Sequence, residues 1–200
     1  MTTLDRLIRA RGPRLDTVTA HLDALPHAVR KEQALALGWR AQRRLFELAA
    51  RGPEITLEHF VPADVPDLQE VVHHGRNTFP AFRFFQKRFC RPQGEAGRLF
   101  GYNHGPTQRL LGPGYFVTRP TAGQPGWPAR GAMVVDYFMV PDAPVSPGWP
   151  PVIPNSQGAQ RLVYDRTRDF MRRVSEHVSV GRAWKEEKML PAYFVLCREA

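Results

Sequence analysis

The chain has 200 residues, of which 42% are apolar and 24% charged, the composition of an ordinary globular protein. Only two cysteines occur, Cys90 and Cys197, which excludes a disulfide framework and a structural zinc site of the Cys-x-x-Cys type. The net charge is +9, with 24 arginines and four lysines. This charge fits nucleic-acid binding, but abundant Arg, Ala, Gly and Pro also indicate GC-rich coding bias.

The chain begins with a basic segment, residues 1–14, but the apolar core of a signal peptide does not follow it. No stretch reaches the roughly 20 apolar residues that a membrane-spanning helix needs. From these two observations we predict a cytoplasmic protein with no membrane partner.

The first third of the sequence is helical in pattern. Leu15, Val18 and Leu22 recur at helical spacing, and a second helix is predicted from about residue 28 to 50. Gly52 and Pro53 end it. We therefore predict a helical segment over residues 1–52 and an α+β domain over residues 53–200, together forming one structural unit.

The middle of the chain has two oppositely charged segments. Residues 54–74 are acidic and predict a short strand from residue 55 followed by a short helix over 67–74. Residues 75–119 are strongly basic. Within them Phe82, Phe85 and Phe89 lie at helical spacing and predict an amphipathic helix over about 80–89.

The last hundred residues predict an antiparallel sheet and one helix. Alternating apolar residues indicate strands at 99–104, 115–119, 132–140, 177–183 and 192–198. The helix is predicted over about 157–174. The expected fold is α+β, with N-terminal helices, then a curved antiparallel sheet of about five strands with a helix packed on one face and a cleft between them.

The first candidate site follows the predicted strand at 99–104. Tyr102, Asn103 and His104 stand directly before a Gly-Pro turn, a place where functional side chains are common. His104 has the chemistry of a general acid or base near neutral pH, and Tyr102 and Asn103 could donate hydrogen bonds to an oxyanion. The alternative is a plain turn with an exposed histidine.

A second candidate is Asp136, an acid in a largely apolar predicted strand. Burying it requires a partner, so it either faces solvent or is paired inside the cleft. His177 is predicted as a further catalytic group near Asp136. Arg109 and Arg119 are predicted to bind the anionic part of a ligand, because guanidinium groups bind carboxylate or phosphate through two hydrogen bonds.

The sequence Pro-Gly-Trp-Pro occurs twice, around Trp127 and Trp149. The two tryptophans either line the mouth of a pocket, as ligand-binding residues, or cover the ends of the sheet.

A rival site lies in the Phe-rich basic segment. Phenylalanines alternate with cations there, a combination that can stack bases and neutralise phosphates. The alternative is a buried Phe stripe with a solvated basic face. The nucleic-acid interpretation assigns binding to Arg83, Phe84, Lys87, Arg88 and Arg91.

These patterns favour a small-molecule-binding protein, with an enzyme acting on an anionic or aromatic ligand by histidine acid–base chemistry as one form of it. A nucleic-acid-binding module is the alternative, and a haem-binding or protein-partner-binding domain is a further one. No phosphate-binding glycine loop, dinucleotide motif or His-Glu-x-x-His motif is present, so the sequence specifies neither a cofactor nor a metal.

Overall fold

A computed structural model describes residues 3–79 and 83–199. In these residues the chain forms a closed barrel of eight antiparallel strands, preceded by five α-helices. The helices are α1 (Leu4–Arg9), α2 (Leu15–Asp23), α3 (His27–Leu35), α4 (Trp39–Leu48), α5 (Leu57–Phe60) and α6 (Gln108–Leu111). The strands are β1 (Val71–Asn77), β2 (Phe84–Cys90), β3 (Leu99–His104), β4 (Phe116–Pro120), β5 (Met133–Asp136), β6 (Thr167–Arg173), β7 (Val178–Lys185) and β8 (Lys188–Arg198).

Each strand pairs with its neighbour in sequence, and β1 pairs with β8 to close the barrel. Alternate side chains of a strand point into the barrel. Phe89, Phe116, Val135, Met171 and Leu196 pack together there as a central apolar layer. A small barrel of this size is filled by such side chains, leaving room for at most a compact ligand.

The first four helices cover one side of the barrel. The buried residues of these helices pack against outward-facing side chains of β7 and β8. These strand residues are Val178, Val180, Tyr193 and Val195. The helix predicted over 28–50 is two helices, because Gly38 is extended and the Gln42 side chain donates to the Leu37 carbonyl oxygen at 2.8 Å.

One end of the barrel is closed by residues 55–61, which include α5. Ile55, Phe60 and Val61 belong to the interior apolar cluster, and the Phe60 ring lies 5.0 Å from that of Phe89. The His73 ring donates from Nε2 to the Phe60 carbonyl oxygen at 2.9 Å. We call residues 55–61 the plug.

The opposite end, where β2, β4, β6 and β8 begin, is open. Beside its mouth lie α6 and a 3-10 turn at Ala159–Leu162, which pack against each other. The plug therefore leaves the barrel interior accessible from this mouth.

The predicted α+β fold with a five-stranded sheet and a packed helix is wrong: the sheet is a closed eight-stranded barrel. Strands are present near all five positions where the sequence predicted them, although β5 is shorter than predicted. The three missing strands, β1, β2 and β6, lie in segments that were predicted as helices over 67–74, 80–89 and 157–174.

Two of these errors, at β2 and β6, have a common physical cause. In β2, Phe85 and Phe89 point inward with Lys87 between them, so a charge interrupts the apolar face of the strand. In β6 the outward Arg168 lies 3.9 Å from the centre of the Phe138 ring, so an arginine covers an aromatic surface. Alternation of apolar and polar residues is lost in both cases, and helical spacing appears instead. Phe82, part of the predicted helical stripe, lies outside the described residues.

The structure also corrects the prediction for residues 55–60. Residues 55–60 were predicted as a strand, but Leu57–Phe60 form one helical turn inside the barrel end. Within residues 3–79 and 83–199, none of the helices combines the length and the apolar composition that crossing a membrane would require.

Candidate functional site

The open half of the barrel contains a cavity of about 350 Å³. Its walls are mostly apolar and aromatic, and four polar side chains converge at its inner end. The walls include Phe84, Phe85, Val163, Tyr164, Ala183, Leu190, Ala192 and Phe194, and the inner polar group is Lys87, Asn103, Tyr137 and Asp169. We call these four residues the polar cluster. An apolar cavity with a few convergent polar groups is the usual form of a small-molecule site.

The polar cluster is held by four different strands or strand ends. Lys87 lies on β2, Asn103 on β3 and Asp169 on β6, and Tyr137 directly follows β5. The Lys87 Nζ lies 3.1 Å from Asp169 Oδ2 and donates to Asn103 Oδ1 at 3.1 Å. It also donates a short hydrogen bond to the Tyr137 hydroxyl.

The turn before β4 orients Asn103. Its Nδ2 donates to the Gly114 carbonyl oxygen at 2.9 Å and to the Tyr137 hydroxyl at 3.0 Å. Gly114 has φ of +54°, and a Cβ there would lie 2.4 Å from the Tyr164 ring. The close approach of the backbone to Tyr164 therefore requires glycine at this position.

Burial controls the electrostatics of the cluster. The Lys87 side chain is 2% exposed, and its ammonium lies 4.8 Å from the Phe116 ring centre and 5.2 Å from that of Phe194. Desolvation lowers the pKa of Lys87, opposed by the nearby Asp169 carboxylate. Desolvation also raises the pKa of Asp169, opposed by Lys87. Both shifts favour transfer of the proton from the amine to the carboxylate.

The phenols in the cavity are held in their protonated form. Burial, followed by the charge of Asp169, raises the pKa of Tyr137 well above its ordinary value. The Tyr164 ring stacks on Tyr137 with an interplanar angle of 19°, and burial raises the pKa of Tyr164 to about 12. Tyr137 is therefore a hydrogen-bond donor at neutral pH.

The mouth of the cavity exposes large apolar side chains. Phe84 is 57% exposed and Leu162 is 76% exposed, and both line the cavity. Lys185 also lines it and donates to the Leu162 carbonyl oxygen at 3.4 Å. An apolar molecule thus meets an apolar surface at the entrance before it reaches the buried charges.

The predicted site at Tyr102, Asn103 and His104 divides between the two faces of β3. Asn103 points inward and belongs to the polar cluster. Tyr102 points outward and packs 4.9 Å from the Trp149 ring. His104 also follows the outward register but lies at the rim of the cavity, and burial together with the charge of Arg88 lowers its pKa.

Asp136 is buried and paired, but on the outer face of the barrel. Its Oδ2 accepts from Arg119 at 3.0 Å and from Arg168 at 3.2 Å. Trp127 covers this group, with the Arg168 guanidinium 4.5 Å from its ring centre. The structure thus brings together three of the predicted residues, Asp136, Arg119 and Trp127. They lie outside the cavity.

The remaining predicted residues are dispersed. His177 lies at the plugged end, where Arg198 Nη2 donates to its Nδ1 at 3.4 Å, and burial lowers its pKa. Arg109 is exposed on α6. Trp149 donates from Nε1 to Glu70 on the outer surface. The predicted convergence of His177 on Asp136 does not occur.

The residues proposed for nucleic-acid binding do not form one surface. Arg83 and Phe84 are exposed. Lys87 points into the barrel. Arg88 forms an ion pair with Glu70, with 3.0 Å between Nη1 and Oε1. Arg91 donates to the backbone carbonyl oxygen of Val65 at 2.7 Å.

The sequence-based interpretation missed Tyr137, Asp169 and Tyr164. Asp169 lies in the segment predicted as a helix over 157–174 and Tyr137 in the strand predicted over 132–140, and neither was singled out as a site residue. One available signal was that Lys87, one of four lysines in an arginine-rich chain, stands between phenylalanines. Among residues 3–79 and 83–199 there is no group of three His, Cys, Asp or Glu side chains that could hold a metal ion.

Comparison with known proteins gives no relative: no family model, no curated protein and no solved structure matches this chain.

Proposed function

We propose that the chain binds a compact, uncharged, largely apolar or aromatic molecule inside the barrel, with a polar group of the ligand against the polar cluster. The observation that carries this proposal is the cavity itself, which extends from the exposed Phe84 and Leu162 to the buried Lys87 and Asp169. Its volume of about 350 Å³ lies at the lower end of the range for small-molecule sites.

Charge argues against an anionic ligand in the cavity. The positive charge of Lys87 is already balanced by Asp169, 3.1 Å away. A ligand carboxylate or phosphate placed beside this pair would add an uncompensated charge to a desolvated site. A carbonyl or hydroxyl group, in contrast, can accept from Tyr137 or Lys87 without changing the net charge.

The experiment is a fluorescence titration with the neutral probe N-phenyl-1-naphthylamine. We expect a saturable increase with one site per chain, and at least about tenfold weaker binding of the anionic probe 1-anilinonaphthalene-8-sulfonate, about 1.4 kcal/mol. The variant Ala192→Phe fills the cavity wall and is expected to abolish binding. Ala122→Phe, on an exposed turn, is the matched control and is expected to bind normally.

Circular dichroism establishes that both variants are folded. Absence of probe binding by the unchanged protein, or equal binding by a folded Ala192→Phe variant, would contradict the proposal.

A further inference from the structure

We propose that Lys87 forms a covalent imine with an aldehyde or ketone group of the molecule bound in the cavity. The inference rests on the proposed function and assigns the substrate class: an apolar or aromatic carbonyl compound. It depends on the position of a lysine amine at the inner end of an apolar cavity, next to an acid, an amide and a phenol.

The chain has four lysines, of which Lys31 lies on α3 away from the cavity, and the other three differ in their surroundings. Lys87 is buried at the inner end of the cavity. Lys185 lies at the mouth, where its Nζ contacts a backbone carbonyl oxygen in an exposed hydrogen bond. Lys188 is exposed at the start of β8. A ligand that enters by the mouth and fills the cavity would bring its leading group to Lys87.

Imine formation requires a neutral amine, because the attacking atom needs its lone pair. In this proposal the amine becomes neutral when its proton passes to Asp169, whose Oδ2 lies 3.1 Å from Lys87 Nζ. Desolvation disfavours the two charged forms together, and transfer of the proton to Asp169 leaves the net charge of the pair unchanged. The amine is therefore activated without a proton being lost to solvent.

The step balances with the residues present. The neutral Lys87 amine attacks the carbonyl carbon, and the protonated Asp169 gives its proton to the carbonyl oxygen. Asp169 then removes a proton from the nitrogen, which completes the carbinolamine. Asp169 returns that proton to the hydroxyl group, the C–O bond breaks, water leaves, and the nitrogen lone pair forms the C=N bond. The product is a protonated imine paired with the Asp169 carboxylate.

The neighbours of Lys87 fix the direction of attack. Asn103 Oδ1 accepts one ammonium proton at 3.1 Å, while its Nδ2 is held by the Gly114 carbonyl oxygen and the Tyr137 hydroxyl. The Tyr137 hydroxyl lies 3.4 Å from Asp169 Oδ2. Being protonated, it can donate to the carbonyl oxygen as negative charge develops there.

The test is reductive trapping of the full chain with 2-naphthaldehyde and sodium cyanoborohydride, followed by intact mass measurement and peptide mapping. We expect one adduct per chain, on Lys87. Lys87→Arg should abolish it, and the Lys188→Arg variant, at an exposed lysine that does not line the cavity, should retain it. Asp169→Asn should slow trapping about a hundredfold, the typical effect of losing a general acid–base group. The peptide map of the unchanged protein locates the adduct even if a variant does not fold.

The outcomes separate the two proposals. An adduct confined to Lys31, Lys185, Lys188 or the terminal amine would overturn the imine. So would the absence of any adduct in a protein that binds N-phenyl-1-naphthylamine, and in that case the cavity keeps its proposed binding role. If neither the probe nor the aldehyde binds, both proposals are overturned.

Discussion

The Lys87 amine and the Asp169 carboxylate form an ion pair of 3.1 Å across the interior of the barrel, between strands that are not neighbours. Both side chains are almost fully buried. Removing one member leaves the other unpaired in an apolar interior, whereas replacing both by apolar groups removes the desolvation cost as well.

We therefore predict that Lys87→Met alone lowers the free energy of unfolding by about 3–5 kcal/mol. The double variant Lys87→Met/Asp169→Leu should recover most of this loss. Urea unfolding followed by tryptophan fluorescence measures both. A double variant as unstable as the single one would show that the pair contributes net stability, contrary to this expectation.

The buried histidines at the plugged end predict that the folded protein loses stability in acid. Burial is the main cause that lowers the pKa of His73 to about 3, and it lowers the pKa of His59 well below its ordinary value. The neighbouring His73, and after it Arg198, Arg173 and His177, add to the lowering of the His59 pKa. The unfolded chain therefore binds more protons than the folded one between the ordinary histidine pKa and these lowered values.

These two histidines should therefore leave the free energy of unfolding unchanged above about pH 6.5. As the pH decreases toward 3, they should lower it by a few kcal/mol. Both ring nitrogens of His59 are buried and have no hydrogen-bond partner among the residues that the structure describes. His59→Phe should therefore be neutral or stabilising at pH 7, and its urea midpoint should fall less between pH 7 and pH 4. An unchanged pH dependence would exclude His59 as a cause of acid unfolding.

A variant of Asp136 tests whether the ligand binds in the cavity beside Asp169 or on the outer face beside Asp136. It holds Arg119 and Arg168 on the outer face of the barrel. We expect Asp136→Ala to lower the free energy of unfolding by about 1–3 kcal/mol, because two partly buried guanidinium groups lose their acceptor. Binding of N-phenyl-1-naphthylamine should be unchanged. Loss of binding in a folded Asp136→Ala variant would place the site on the outer face instead.

A glycine inside the barrel gives a further prediction. A Cβ on Gly101 would lie 2.3 Å from the Phe116 ring and 2.5 Å from the Arg88 carbonyl oxygen. Gly101→Ala should lower the free energy of unfolding by about 1–3 kcal/mol, since backbone and ring must move apart. No described residue other than the chain neighbours has an atom within 4 Å of the ideal Cβ position of Gly97, so Gly97→Ala is the matched control. Thermal unfolding should separate the two variants clearly.

The sequence predicted several local features correctly. The strands predicted at 99–104 and 132–140 are present as β3 and, in shorter form, as β5. These segments have one consistently apolar face, so a period of two is visible in them.

The remaining strands could not be identified in the same way. The inward face of β2 carries Lys87, and the inward face of β6 carries Asp169. The two charges are paired with each other inside the barrel, and this pairing brings together distant parts of the chain. Without that pairing, the two segments resemble amphipathic helices with solvated charges.

The candidate site was hidden for the same reason. Of the residues predicted for a small-molecule site, Asn103 and His104 line the cavity, whereas Phe84 and Lys87 line it but were assigned to nucleic-acid binding. Tyr137 and Asp169 reach the cavity through strand register, which sequence spacing alone does not determine.

The pairing of β1 with β8 has a consequence for how the barrel is assembled. Every other strand contact joins neighbours in sequence, but this seam joins segments from opposite parts of the described chain. Until residues 188–198 are in place, β1 and β7 each present an unsatisfied edge to which strands of other molecules can add. The slowest step of folding is therefore expected to be closure of this seam, and the species that precedes it to be the one most prone to aggregate.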